Sequence, residues 1–444
     1  MAELVALTAT DLSRAYARRA LSPVEVTRAC LERIAAMEPR LNAMYRVAEE
    51  RALANARASE ARHRRGEPLS PLDGVPVTLK DNIATAGDPM PVGTAALDDG
   101  PPVSVDAPPA ARVREAGCVL LGKTTMPDFG MLASGVSSLH GVTRNPWDPS
   151  RNTAGSSAGA AAGLAALYAP LALGTDIGGS VRLPAAYCGV FALKPSLGRV
   201  PIHPPYWGRV TGPMTRTVRD AALLMSILTR IDARDYMSLP PEPVDYAADA
   251  PSEVRGLRLG LCLDMGAGTR PTAEVGAAIE AAARRLEAAG AIVEPIGPLG
   301  DPAMLDGLDT FFRARSFTEM TTLPPERQAR ILPFIRAWCG TAVGWSAVVL
   351  MRAMGEIFRI REAAVTATAP FDFLLTPTSP IAPYEAEAPC PGSDPERPFD
   401  HVVFTAPFNQ SEQPAASINC GWTADGLPIG LQIVGHRFDD RGVL

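Results

Sequence analysis

Ala110-Ala-Arg-Val-Arg-Glu-Ala-Gly-Cys-Val-Leu-Leu121 is the stretch whose reading decides the fold class. Ala110 to Ala116 has a helical pattern, Gly117 stops it, and Cys118 to Leu121 is the short apolar run of a buried strand. Upstream, Gly74-Val-Pro-Val-Thr-Leu-Lys80 reads as another short buried strand entered through a turn. Before it lies a highly charged helical stretch, Glu49 to Arg65, ended by Gly66. Ser22-Pro23-Val24-Glu25 predicts a helix start, with Ser22 as the cap, Pro23 in the first turn and Glu25 completing a capping box. Val26, Cys30 and Ile34 then fall on one face. Downstream, Leu257 to Cys262, Ala273 to Ala289 and Ala291 to Ile296 form one more β-α-β unit. This alternation predicts an α/β chain whose sheet is largely parallel and covered by helices. Asp232 to Ala250, rich in Pro, Asp and Tyr, is expected to be a surface excursion, and no internal repeat is present.

The composition excludes several function classes. The 444 residues carry 42 Lys+Arg against 48 Asp+Glu, a formal charge of −6, with 47% hydrophobic and 20% charged residues. That balance is ordinary for a globular protein, and it excludes a strongly basic module for nucleic acid or anionic membrane. The seven cysteines lie far apart with no C-x-x-C pair, so they read as reduced, mostly buried small hydrophobes. The N-terminus lacks a positive region ahead of an apolar one, which leads to the expectation of a cytoplasmic protein. Thr153 to Thr175 is uncharged, yet it is built largely of Ala, Gly and Ser and is interrupted by Pro170, so it is not expected to span a membrane.

Three short motifs suggest chemistry. Gly117-Cys-Val-Leu-Leu-Gly122-Lys123-Thr124 satisfies the letters of a phosphate-binding loop, but its middle residues are strand-like, so Lys123 is read as a solvated strand end. Gly155-Ser156-Ser157-Ala158-Gly159 fits G-x-S-x-G, whose mechanism needs a histidine base; His203, His401 and His436 are the candidates, and none lies in a stretch built to hold it. Gly174-Thr-Asp-Ile-Gly-Gly-Ser-Val-Arg182 places two glycines ahead of Ser180, a pattern that lets several N–H groups converge on one point, as an oxyanion hole requires. Taken alone, this third motif is equally a simple turn after a strand at Leu171 to Gly174.

The combination of Lys80, Ser156 and Ser180 with their flanks resembles the amidase signature family. The likeness runs through Gly74 to Asn82, Leu121 to Phe129, Thr143-Arg-Asn-Pro-Trp-Asp148, Ala154 to Gly159, Gly174 to Pro184 and Cys188 to Pro195. Near the C-terminus it continues in Phe404-Thr-Ala-Pro-Phe408 and Asp425 to Gly435. The resemblance implies the amidase signature fold, an α/β architecture with a large mixed β-sheet sandwiched between helical layers. It further implies one domain over residues 1–444, with a signature core at about 74–200 and a variable, substrate-determining region at about 300–400.

By the same resemblance Ser180 is the nucleophile, Ser156 is a relay serine after a cis peptide to Gly155, and Lys80 is the base. The backbone N–H groups of Ile177, Gly178, Gly179 and Ser180 form the oxyanion hole, and Asp176 and Arg182 support the loop as a charged pair; Arg182 as a ligand for a substrate carboxylate is the alternative. Physical chemistry makes the roles coherent: a serine hydroxyl needs a base, and a lysine serves only when neutral, a state that burial favours. Neither a cofactor nor a metal is implied. Two features depart from the family pattern: alanines at 154 and 158 stand where glycines are usual, and the chain ends at Leu444, where members continue into a final helix.

The implied activity is an amidase, a hydrolase cleaving linear carboxylic amides through a serine acyl-enzyme. The expected partner is a small-molecule amide, with no nucleic acid and no membrane, and a homodimer is left open. One alternative is the A-type component of a glutamine-dependent, tRNA-linked amidotransferase. Such components usually read Ser-Leu-Asp-Gln-x-Gly-Pro where this chain has Trp207-Gly-Arg-Val-Thr-Gly-Pro213, and the free enzyme is preferred on that ground. An alternative of another class is a catalytically silent binding protein on the same scaffold. Specificity is expected to come from Asp301 to Cys390 and from Phe129 to Val136; Phe311, Phe312, Trp338 and Trp345 can line an aryl or alkyl pocket, although such spacing is more often core.

Overall fold

The computed structural model describes residues 2–248 and 253–444. Its strands are β1 (Met44–Val47), β2 (Pro76–Lys80), β3 (Val119–Thr124), β4 (Val136–Ser137), β5 (Gly141–Val142), β6 (Leu171–Asp176), β7 (Phe191–Lys194), β8 (Val210–Thr215), β9 (Arg258–Leu261), β10 (Ile292–Pro295), β11 (Phe373–Pro377), β12 (Ala415–Trp422) and β13 (Pro428–Val434). All but the β4–β5 pair join one 11-stranded sheet in the order β1-β3-β2-β6-β8-β7-β12-β13-β11-β9-β10.

The sheet is mixed, and the alternation that predicts a largely parallel one holds only toward its two ends. There β3, β2 and β6 run parallel, as do β11, β9 and β10, because helices such as Pro108–Glu115 and Ala273–Ala288 carry the chain back between strands. The middle strands β6, β8, β7, β12, β13 and β11 pair antiparallel in succession. Helices cover the sheet, and one apolar cluster runs from Val5 and Leu12 through Val77, Leu121, Leu171 and Leu224 to Val443.

Local signals explain most boundaries. The helix Glu49–Arg65 ends where Gly66 adopts the left-handed conformation at φ +79, a geometry that costs glycine nothing. The helix Pro23–Leu41 starts at Ser22, whose side chain accepts the Val24 N–H, with Pro23 in the first turn and Val26, Cys30 and Ile34 buried. The expected capping box with Glu25 does not form: the Ser22 oxygen accepts from the Val24 N–H and not from that of Glu25, and the Ser22 hydroxyl donates to Glu60 at 2.6 Å. Residues 232–248 of the predicted excursion contain no helix or strand, and its last two residues lie outside those described. Lys123 is not a solvated strand end: it is fully buried on β3 and donates to the Ile83 carbonyl and to Thr85 Oγ1. Among the described residues, no helix is long and apolar enough to cross a membrane.

Candidate active site

The parallel pairing of β2 with β6 sets Leu79 beside Leu173, so both strands deliver their C-terminal residues to one edge of the sheet. Crevices at the carboxyl ends of such strands are the usual ligand sites of α/β sheets. Lys80 ends β2 and is completely buried. Its Nζ lies 2.8 Å from Ser156 Oγ and 3.0 Å from Thr175 Oγ1. Asn82 Nδ2 donates to the same Thr175 hydroxyl at 3.0 Å. Burial pushes the Lys80 ammonium down to about 7, against the opposing pull of Asp176 and Asp81. Near neutral pH a large fraction of Lys80 is therefore an uncharged amine held against a hydroxyl.

Ser156 follows a cis peptide from Gly155. A Cβ on Gly155 would lie 2.3 Å from the Ser134 carbonyl oxygen, so no larger residue fits there. The helix Ala158–Ala165 begins directly afterwards, and Ser157 occupies its cap position without a side-chain capping bond, its hydroxyl donating to the Thr175 carbonyl at 3.3 Å. Of the two alanines that depart from the family pattern, Ala154 sits at φ +53, where glycine would be unstrained, and Ala158 opens this helix.

Beyond β6 the chain makes the Ile177–Ser180 turn. The Ser157 N–H donates to the Ser180 carbonyl at 3.0 Å, tying the two serine-bearing segments together. Ser180, Gly155, Ile177 and Gly178 line one cleft. No hydrogen bond occupies the Ser180 hydroxyl among the described residues, and the N–H groups of Ile177, Gly178 and Ser180 have no protein acceptor there either. Gly179 differs: its N–H donates to Asp176 Oδ1 at 2.7 Å, so it is directed away from any cleft ligand.

Asp176 and Arg182 form a buried bidentate pair, Nη2 to Oδ1 at 3.0 Å and Nε to Oδ2 at 3.1 Å. Burial alone would raise the Asp176 carboxyl; Arg182 and then Lys194 outweigh it and hold the group well below the usual carboxylate range. Arg182 also donates to the Thr405 carbonyl at 2.9 Å and to Gln432 Oε1 at 2.7 Å. Its donors are thus taken up inside the protein, and it does not line the cleft. Sequence reasoning missed three partners of this network. Thr405 donates its hydroxyl to the Gly178 carbonyl at 2.6 Å, Asn409 Nδ2 donates to Asp176 at 2.9 Å, and Gln432 accepts from Arg182. The motif Phe404-Thr-Ala-Pro-Phe408 was the available signal for the first.

The G-x-S-x-G reading finds no histidine. His401 is buried with its pKa pushed down to about 4 by that burial, His436 faces the Phe371 carbonyl at 2.7 Å, and neither they nor His203 line the cleft. Phe312 and Trp338 do line it, together with Phe399 and Val402, whereas Phe311 packs edge-on against Trp207 and Trp345 is exposed. Among the described residues no group of acidic, histidine or cysteine side chains has the arrangement of a metal site.

Comparison with known proteins places this geometry in a family. The amidase family model matches residues 25–444. The A-type component of the glutamyl-tRNA(Gln) amidotransferase of Myxococcus xanthus is 37% identical, covering 100% of this chain and 96% of that protein. Its counterpart in Chloroflexus aggregans is 36% identical with the same coverage. Among solved structures, a bacterial aryl acylamidase of the amidase signature family superposes with a TM-score of 0.91 at 30% identity over 98% of this chain and 94% of that one. The 6-aminohexanoate cyclic dimer hydrolase gives 0.87 at 28% identity, covering 99% of this chain and 96% of that one. These relatives correct the expectation about partners: whole-length likeness to one component of an enzyme named for glutamyl-tRNA contradicts a small-molecule partner with no nucleic acid. The open cleft at the ends of β2 and β6, the buried amine and the family match over nearly all of the sequence lead to one assignment: the chain belongs to the amidase signature family.

Proposed function

We propose that the chain opens a carboxylic amide by forming an acyl-enzyme on Ser180. The observation that carries this reading is the 2.8 Å contact of Lys80 Nζ with Ser156 Oγ beside the cleft that Ser180 lines. Neutral Lys80 accepts the Ser156 proton while Ser156 accepts that of Ser180, and the Ser180 oxygen attacks the amide carbonyl. The oxyanion is received by the free N–H groups of Ile177, Gly178 and Ser180, while the Gly179 amide and the Gly178 carbonyl, held by Asp176 and Thr405, fix the loop's shape. The proton then returns through Ser156 to the departing nitrogen, and water cleaves the ester to free the acid and Ser180.

Two fates of the released nitrogen have support. Whole-length likeness to the A-type components of amidotransferases favours a chain that releases the amide nitrogen for transfer within a tRNA-dependent assembly. The apolar cleft wall favours the second reading, hydrolysis by water of amides with an aryl or alkyl group. Purification followed by ammonia assays on glutamine and on simple aryl and alkyl amides separates them. Nitrogen transfer from glutamine to glutamyl-tRNA together with co-purifying proteins supports the first, and turnover of simple amides by the chain alone supports the second. A fluorophosphonate probe that leaves Ser180 unlabelled would overturn both in favour of a silent binding protein.

A further inference from the structure

Most of the cleft wall is hydrocarbon, supplied by Met131, Leu132, Phe312, Trp338, Phe399 and Val402. The helix Pro302–Thr321 breaks that wall with two adjacent polar side chains, Arg315 and Ser316. Arg315 Nη2 donates to Glu319 at 2.9 Å, and its guanidinium carbon lies 4.5 Å from the centre of the Tyr206 ring. Its Nε is buried and has no hydrogen-bond partner among the described residues. A second guanidinium, that of Arg209, approaches the same ring at 5.9 Å, and among the described residues no carboxylate lies within ion-pair distance of it. Two cations thus sit on one ring, and among the described residues only Arg315 of the two has a carboxylate, Glu319, within ion-pair distance.

An apolar cavity with a few placed polar groups takes a ligand of matching pattern, and a guanidinium on its wall is matched best by a carboxylate. We propose that Arg315 is a specificity-determining residue, and that the preferred substrates are amides whose aryl or alkyl body carries a carboxylate distal to the scissile bond. The anion pairs with the Arg315 guanidinium, the slot covers the apolar body, and Ser316 adds a neutral hydroxyl on the same wall. This inference rests on the amide-opening reading only for the nature of the reacting group.

Calorimetric binding to the Ser180→Ala protein tests it without turnover. The probes are 4-carbamoylbenzoate and 4-acetamidobenzoate, with the anion on the acyl and leaving-group sides respectively, against neutral benzamide and acetanilide. At least one anion should bind about tenfold or more tighter than its neutral counterpart, a preference that Arg315→Gln abolishes and Arg315→Lys partly keeps. Equal affinities for both pairs, or a preference that survives Arg315→Gln, would overturn the proposal. Fluorophosphonate labelling of the wild-type protein reads the other claim separately: a preference for the anion with Ser180 unlabelled refutes the catalytic reading and leaves the Arg315 assignment standing.

Discussion

Three buried lysines illustrate how neighbours decide a residue's use. Burial pushes Lys80 and Lys194 down to about 7 and Lys123 to about 8. Among the described residues Lys194 donates only to the carbonyl of Pro195 and Lys123 is tied to Ile83 and Thr85, whereas Lys80 alone of the three faces a serine hydroxyl next to the cleft. On the proposed mechanism the active form is the neutral amine, so kcat/KM on a neutral amide should fall about tenfold per pH unit below 7 and level off above it. Lys194→Met should keep that acidic limb, and Lys80→Met should lose it along with most of the activity; a limb that follows Lys194 would reassign the base. The special position of Lys80 was legible in sequence through the resemblance of Gly74 to Asn82 to the amidase signature family. The burial of Lys123 was not, since Gly-Lys-Thr at a strand end gives no sign of which layer will cover it.

At the scale of elements, the Ile177–Ser180 turn is held by Thr405, 227 residues from Gly178 in sequence, and by Asp176 just ahead of it. Thr405 binds the Gly178 carbonyl and Asp176 binds the Gly179 N–H, so both faces of that one peptide are fixed. A Cβ on Gly179, at φ +130, would meet the Thr405 hydroxyl at 2.3 Å, which shows how closely the two segments approach. Thr405→Val should therefore lower kcat by roughly tenfold, less than the ~100-fold or more typical of losing an oxyanion donor outright, with KM little changed. An unchanged kcat, or a loss confined to KM, would remove Thr405 from the positioning role. Local punctuation made the strand-turn-helix pieces readable: Gly66 and Gly117 end their helices where the pattern places them. The motif Phe404 to Phe408 marked Thr405 as part of the family pattern, but its pairing with residue 178 was unreadable, because a single hydrogen bond leaves no periodic trace in either segment.

For the whole molecule, the sheet is continuous and one apolar cluster includes residues from Val5 to Val443, so both ends of the chain contribute to the same core. On that basis we propose one domain over 1–444, with a core at about 74–200 and a specificity region at about 300–400. Calorimetry should then give a single unfolding endotherm, and two resolved transitions would divide the chain. The α/β class followed from alternation alone, while the antiparallel middle of the sheet did not, since alternation records the order of elements and not which strands pair. The aromatic residues Phe312, Trp338 and Phe399 come from segments whose composition resembles ordinary core, and only the tertiary fold turns them toward Ser180.

The central claim is that an uncharged Lys80 activates Ser180 by way of Ser156, and the rate of Ser180 phosphonylation by a fluorophosphonate, followed by intact mass from pH 5 to 9, tests it most directly. The account predicts a wild-type rate that rises with pH through about 7, and a Lys80→Met rate at least ~100-fold slower and without that rise. The same rising profile in Lys80→Met, or a label on a residue other than Ser180, would contradict it.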